Sequence, residues 1–546
     1  MTARTTRASA PGVSQWVWFA VLAVILLTII ARVRLLSIPL ERDEGEYAYA
    51  GQLILQGVPP YELVYNMKFP GIYYAYSLVL AVFGQTQVGV HLGLLVVNAA
   101  TILLVFLLGR RLFDPTAGAW AAAAFAVMSV SPSVAGVFAH ATHFVLLPAL
   151  GGLLLFLRGL ESRLLRLLLW SGVLLGTALL MKQHGVVFLV FAVVFAVWTC
   201  WRDKPADRRR FWVELAVLGG GTAIPLVAAC AVLLATGVFG RFWLWTFVYA
   251  SEYVSERSWS AAFGYLARGV HNAAGTAWPL WGLAAIGLAL LARDETWKRS
   301  RAFVVGFLVF SFLATVPGFY FRPHYFILLL PAIALLAGSV PATATRLLMR
   351  LAPKKVFRAA GATALLCALV GSLALDGDRL FRMSVRELSR SVYHQNPFPE
   401  ALDVAAYLES KTSPGETIAV FGSEPEIFFY SGRRSATGYI YMYPLMERQK
   451  FAETMRQEML REIETARPTY AVFVGVNTSW VDHSPSDTAA RDRLMEYANT
   501  NYGQVGLLEI LSPEHTEVRW ENALADYTPK SPYRIVVLKR RDVPRH

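Results

Sequence analysis

The stretch "WVWFAVLAVILLTIIARVRLLSIPLERDEGEYAYAG" occupies residues 16–51. It opens with an unbroken apolar run from Trp16 to Ala31 and ends in a knot of acids, Glu41, Asp43, Glu44 and Glu46. An apolar run of that length is suited to hydrocarbon rather than to a soluble core. Ionisable groups packed at the lip of such a run are costly unless they do something. The fold therefore turns on whether the pattern recurs.

It does. Hydrophobic residues make up 55% of the 546-residue chain and charged residues 16%, well under the quarter usual in soluble domains. Mean hydropathy is +0.44. Apolar segments lie at roughly 14–34, 86–108, 116–134, 143–160, 164–181, 185–201, 211–236, 274–292, 302–318, 325–341 and 357–375. Runs near 20 residues exceed what a barrel strand needs, so the expectation is an α-helical polytopic membrane protein with about eleven transmembrane helices. In "DPTAGAW", Asp114 and Pro115 supply the cap and first position of one of them.

The net charge of +13 does not imply nucleic acid, because the basic residues punctuate the apolar runs. With the N-terminus in the cytoplasm, Arg110, Arg111, Arg158, Arg163, Arg166, Arg293 and Arg346 all fall on cytoplasmic connections, and the opposite side is sparser. That orientation places the C-terminal part outside the cytoplasm, in a multi-pass protein of the plasma (inner) membrane. The basic segment "MTARTTRASAPGVSQ" is followed by no small-residue cleavage site, so the first helix is expected to be retained. Cys200, Cys230 and Cys367 show neither metal spacing nor a disulfide framework.

Two outer connections are long and aromatic, 35–85 and 237–273. The second reads as interfacial helix. "PGIYYAYSLVLAVFG", residues 70–84, is too short for a full crossing and reads as re-entrant or juxtamembrane. Beyond residue 376 charge rises and strand patterns ("TIAVFG", "YAVFVG", "YRIVVLK") alternate with amphipathic helices. The expected division is a membrane domain, 1–375, and an extracytoplasmic α/β domain, 376–546.

The acids have a plain reading: Asp43 followed by Glu46 resembles an acidic capping box for the helix that begins there. Capping, however, uses one or two acids and not four. Lys68, alone among apolar residues, is either a snorkelling lysine or a point charge for an anionic headgroup. Arg322 and His324 in "FYFRPHYFILLLP", His140 and His143 in "AHATHF", and Lys182-Gln183-His184 lie at other outer turns. Gathered into one chamber, these groups suit transfer from a phosphate-bearing donor. A carboxylate would accept the acceptor's proton and cations would stabilise the departing phosphate.

The residues "RDEGEYAYAGQLILQG…PPY…NMKFPGIYYAYSLVLAVFG" and "RPHYFILLLP" resemble the GT-C membrane glycosyltransferases. The resemblance is to the branch of the lipid A aminoarabinose transferases and protein O-mannosyltransferases. It implies Asp43 and Glu44 as the catalytic acidic pair, with Asp43 the essential carboxylate. It further implies Lys68 as a ligand of the lipid phosphate, with Tyr47, Arg322, His324 and His143 as substrate-binding residues. The donor would be a polyprenyl-phosphate sugar, the acceptor a lipid, glycan or protein, and the transfer inverting. His143 stands where many members carry a second acid, so no two-acid metal site and no cofactor is expected, a divalent metal held through histidine being the alternative. A transporter or lipid flippase would place charges near the bilayer midplane. A non-catalytic anchor would need neither Asp43 nor Lys68. Convergence of Asp43, Lys68 and His324 on one cavity separates these readings from the enzyme.

Overall fold

A computed structural model describes residues 15–203, 208–254, 259–351, 357–480 and 488–542. The basic N-terminal tail and part of the expected interfacial segment, 255–258, lie outside the described residues. The protein is mostly helical. Nine helices open the chain: α1 (Gln15–Arg34), α2 (Arg42–Leu55), α3 (Gly71–Phe83), α4 (Gln87–Leu112), α5 (Pro115–Val130), α6 (Ala141–Ser162), α7 (Leu165–Met181), α8 (Val186–Asp203) and α9 (Arg208–Ala235). Further apolar helices follow at Trp278–Arg293, Lys298–Leu313, Leu330–Leu351 and Phe357–Leu375. Every segment expected to span is helical. Among the described residues, six helices meet both length and apolarity for a crossing, and five apolar ones are shorter. Arg32, buried in the last turn of α1, donates to Asn98 Oδ1 (3.1 Å) and to the Ser129 carbonyl (2.6 Å), pinning α1 to α4 and α5.

Helix starts follow local chemistry. Asp114 caps α5, accepting from the Ala117 N–H at 2.9 Å, with Pro115 next. The capping box of α2 starts two residues before the expected one. Glu41 is the N-cap and accepts from the Glu44 N–H, while the Glu44 side chain accepts from the Glu41 N–H. Asp43 is thereby left free of capping. Hydropathy cannot set this phase, because four acids in six residues offer several equivalent boxes. At 13 residues α3 spans about 20 Å, short of a bilayer core, in line with a juxtamembrane element.

The C-terminal α/β region carries one six-stranded sheet. Its strands are β1 (Thr417–Phe421), β2 (Arg434–Ser435), β3 (Tyr470–Gly475), β4 (Tyr502–Ile510), β5 (Thr516–Trp520) and β6 (Arg534–Arg540), ordered β2-β1-β3-β6-β4-β5. β1 pairs in parallel with β2 and β3, and the remaining pairs are antiparallel. The region docks directly on α2. A Cβ on Gly45 would fall 2.6 Å from the Glu426 backbone nitrogen, so only glycine allows this approach. One continuous apolar cluster joins α2 and α3 residues (Tyr49, Leu53, Ile72) to sheet residues (Ile418, Val472, Val537).

Candidate active site

The site forms where the start of α2 meets three turns at the same end of the bundle. Asp43, on the first turn of α2, points out of the helix and receives a hydrogen bond from Lys68 Nζ at 2.8 Å. The ammonium also donates to Tyr47 Oη at 3.0 Å and lies 3.7 Å from Glu46 Oε2. The Lys68 backbone is fixed as well. Tyr61 Oη donates to its carbonyl (2.6 Å), and Gln183 Nε2 donates to the adjacent Met67 carbonyl (2.6 Å).

The turn before α6 brings His140 to the other side of Asp43. Its Nδ1 is 3.4 Å from Glu41 Oε1 and 4.0 Å from Asp43 Oδ2, and its Nε2 is 3.1 Å from Tyr393 Oη. The His140 ring stacks on that of His324, centroids 4.1 Å apart. Lys182, between α7 and α8, lies with Nζ 4.6 Å from the centre of the Tyr325 ring.

Two cavities adjoin here. The smaller, about 220 Å³, is lined by Asp43, Lys68, Lys182, Arg322, His324 and aromatic residues. The larger, about 580 Å³, is lined by Glu41, Asp43, Arg322, His324, Tyr393 and Asn396, among others. Asp43, Arg322, His324, Tyr441 and Tyr443 border both. The convergence of Asp43, Lys68 and His324 expected of an enzyme is thus present. Tyr393, Asn396, Tyr441 and Tyr443 come from the C-terminal region.

The groups titrate against one another. Burial would raise the Asp43 carboxyl, but the charges of Lys68, Lys182 and His140 outweigh it and hold the group far below its usual range. Burial would lower Lys68, but Asp43 and Tyr47 push it well above the ordinary lysine value. Glu41 is pushed up by burial and by the neighbouring Asp43 and Glu44. Burial lowers His140 to about 4, and burial together with Lys68 lowers Lys182 to about 7. His324 is depressed by burial and by His140. At neutral pH the centre holds an ionised aspartate, a charged lysine and two neutral imidazoles.

Three expected site residues, Glu44, His143 and Tyr47, line neither cavity. Glu44 is turned away from both cavities into the core. It accepts the backbone N–H groups of Glu41 and Ala139 and lies 3.1 Å from His91 Nε2. It therefore clamps α2, α4 and the turn before α6 in register. His143 is buried inside the first turn of α6 and lines neither cavity. His140 is the N-cap of α6, outside its first turn, and faces Asp43, whereas His143 lies inside that turn and is buried. Tyr47 is buried behind Lys68 and holds it rather than facing the cavities. Lys182 and His140 belong to the site on geometry. Their sequence signal is their place in turns between apolar helices.

Among the described residues Asp43, His140 and His324 form the group that can hold a metal ion, their donor atoms lying within 4.8 Å of one another. One carboxylate and two neutral imidazoles suit a zinc-like ion. The donors would have to close in, and the Lys68 ammonium already holds Asp43 Oδ1.

Residues 67–229 match the family described as dolichyl-phosphate-mannose-protein mannosyltransferase. The fold resembles ArnT from Cupriavidus metallidurans, solved bound to undecaprenyl phosphate. The TM-score is 0.59 at 16% identity, over 96% of this chain and 98% of that one. It also resembles the Archaeoglobus fulgidus oligosaccharyltransferase tethered to an acceptor peptide. Here the TM-score is 0.55 at 13% identity, over 93% of this chain and 75% of that one. No curated protein sequence matches the chain. The family match covers residues 67–229, and over nearly its whole length the chain shares the fold of these two enzymes.

Proposed function

We propose that this protein is a glycosyltransferase of the GT-C group, which transfers a glycosyl group from a polyprenyl-phosphate sugar to an acceptor at the outer face of the membrane, with Asp43 as the catalytic carboxylate. The observation that carries the reading is Asp43 in the shared wall of two cavities, one of them cationic. In this assignment the smaller cavity takes the donor phosphate, with Lys182 and Arg322 as its cations. The same cavity is lined by Tyr320 and Tyr325, aromatic surface suited to the first units of an apolar lipid. Lys68 spends two of its three N–H groups on Asp43 and Tyr47 and so keeps one for the phosphate. The larger cavity takes the acceptor.

The chemistry balances in one displacement. The acceptor hydroxyl, hydrogen-bonded to Asp43, attacks the anomeric carbon and its proton passes to Asp43. The bond from that carbon to the phosphate oxygen breaks, and the electron pair leaves with the polyprenyl phosphate. Attack and departure occupy opposite faces of the sugar, so configuration inverts. The donor phosphodiester carries one negative charge and the released monoester approaches two. Fixed cations therefore bind the leaving group more tightly than the ground state, which accelerates the reaction.

In the same reading residues 1–375 form the membrane domain and 376–546 an extracytoplasmic domain that completes the site. The N-terminus lies in the cytoplasm, following the alternation of basic residues. The test is Asp43→Asn in the purified full chain, supplied with polyprenyl-phosphate sugars, with released polyprenyl phosphate as the readout. Turnover is expected to fall on the order of 100-fold or more, with unfolding temperature near that of the parent. Undiminished turnover removes Asp43 from the mechanism.

A further inference from the structure

A second basic cavity lies at the far end of the bundle. α4 starts beside the site and ends in Arg110 and Arg111, and α6, which starts after His140 of the site, runs parallel to it and carries Arg158 and Glu161 near its own end. These four residues and Leu107 line a cleft of about 320 Å³. Arg111 Nη2 lies 2.6 Å from Glu161 Oε2, which neutralises one charge. Arg111 Nε is buried and lacks a hydrogen-bond partner. The guanidinium groups of Arg110 and Arg158 enter no ion pair or hydrogen bond among the described residues. The cleft thus keeps two uncompensated positive charges on facing helices.

The wall continues as hydrocarbon. Leu107 borders the cleft, and Leu103, one turn further into the bundle, is 56% exposed. Leu103, Leu107 and Arg110 or Arg111 share one face of α4 by helical spacing. Leu103 and Arg110 are about 10 Å apart along the axis. An exposed apolar stripe ending in a cationic cleft at a helix terminus has the form of a phospholipid: acyl chains along the stripe, headgroup in the cleft.

We propose that this cleft is a binding site for the phosphodiester headgroup of an anionic membrane phospholipid, in the leaflet opposite the active site. Two guanidinium groups converging on one phosphate give geometry that a single surface arginine does not. Near a membrane each basic residue contributes about 1 kcal/mol toward an anionic lipid.

The test uses the full chain in detergent, titrated with phosphatidylglycerol, phosphatidylcholine or inorganic phosphate, with bound lipid counted by native mass spectrometry. Phosphatidylglycerol is expected to be retained and phosphatidylcholine not. R110Q/R158Q should weaken retention on the order of 30-fold. R293Q/R209Q removes two charges from the same end of the bundle outside the cleft and should leave retention intact. Should R110Q/R158Q fail to fold, the single variant R158Q is read instead, with about fivefold weakening expected. Equal retention of both lipids, competition by inorganic phosphate as strong as by lipid, unchanged retention in the cleft variants, or equal loss in R293Q/R209Q would each overturn the proposal.

Discussion

Lys182 is the residue whose state ordinary conditions can change. Burial and the nearby Lys68 hold it at about 7, so near neutrality it is charged in only part of the population. An anionic donor phosphate beside it favours the charged form and raises that value. Below about pH 7 the cation is already present and donor binding is strongest. Above it, binding must take up a proton, so donor affinity falls by up to about tenfold per pH unit until the bound-state value is reached. The donor KM is therefore expected to rise between pH 6 and 8.5. In Lys182→Arg, whose cation does not titrate there, the rise should vanish; its persistence would assign the effect to another group.

The same scale shows what a sequence conceals. Lys68, Arg322 and His324 are legible because each stands among apolar and aromatic residues, and Asp43 because it belongs to a knot of acids at the lip of an apolar run. Asp43 cannot be told from Glu44 that way. They are adjacent acids, and only the helix phase, set by Glu41 taking the cap, sends one to the cavity and the other to the core. His140 and His143 differ likewise by which side of a helix start they occupy.

At the scale of elements, the docking of α2 against the C-terminal region decides where Asp43 points. Arg42, its neighbour, donates to Glu424 Oε1 (2.8 Å), Asn396 Oδ1 (3.1 Å) and Tyr443 Oη (2.7 Å). Tyr441 Oη donates to the Arg42 carbonyl at 3.0 Å. Gly45 permits the contact. Gly45→Ala would drive a methyl into the Glu426 backbone, with an expected cost of about 1–3 kcal/mol and tilting of the first turn of α2. Both unfolding temperature and turnover should fall in that variant, and unchanged turnover would show that the docking does not set the geometry of Asp43. The apolar helices, α3 included, and strands β1, β3 and β6 are readable from periodicity. β2, with two residues, and β5, with its mixed pattern, are not, because pairing to neighbours and not their own composition makes them strands.

For the whole molecule, the membrane bundle was readable from hydropathy and its active end from the placement of charge. The contribution of Tyr393, Asn396, Tyr441 and Tyr443 was not, since about 350 to 400 residues of chain separate them from Asp43 and nothing local marks the contact. Two cavities with a common wall also dictate an order of events. In the proposed assignment both substrates are seated together, and no covalent glycosyl-enzyme species is required between them. Initial rates measured against each substrate at fixed levels of the other should therefore give intersecting double-reciprocal lines. Parallel lines, the signature of a ping-pong cycle, would mean that the sugar rests on the protein before moving on.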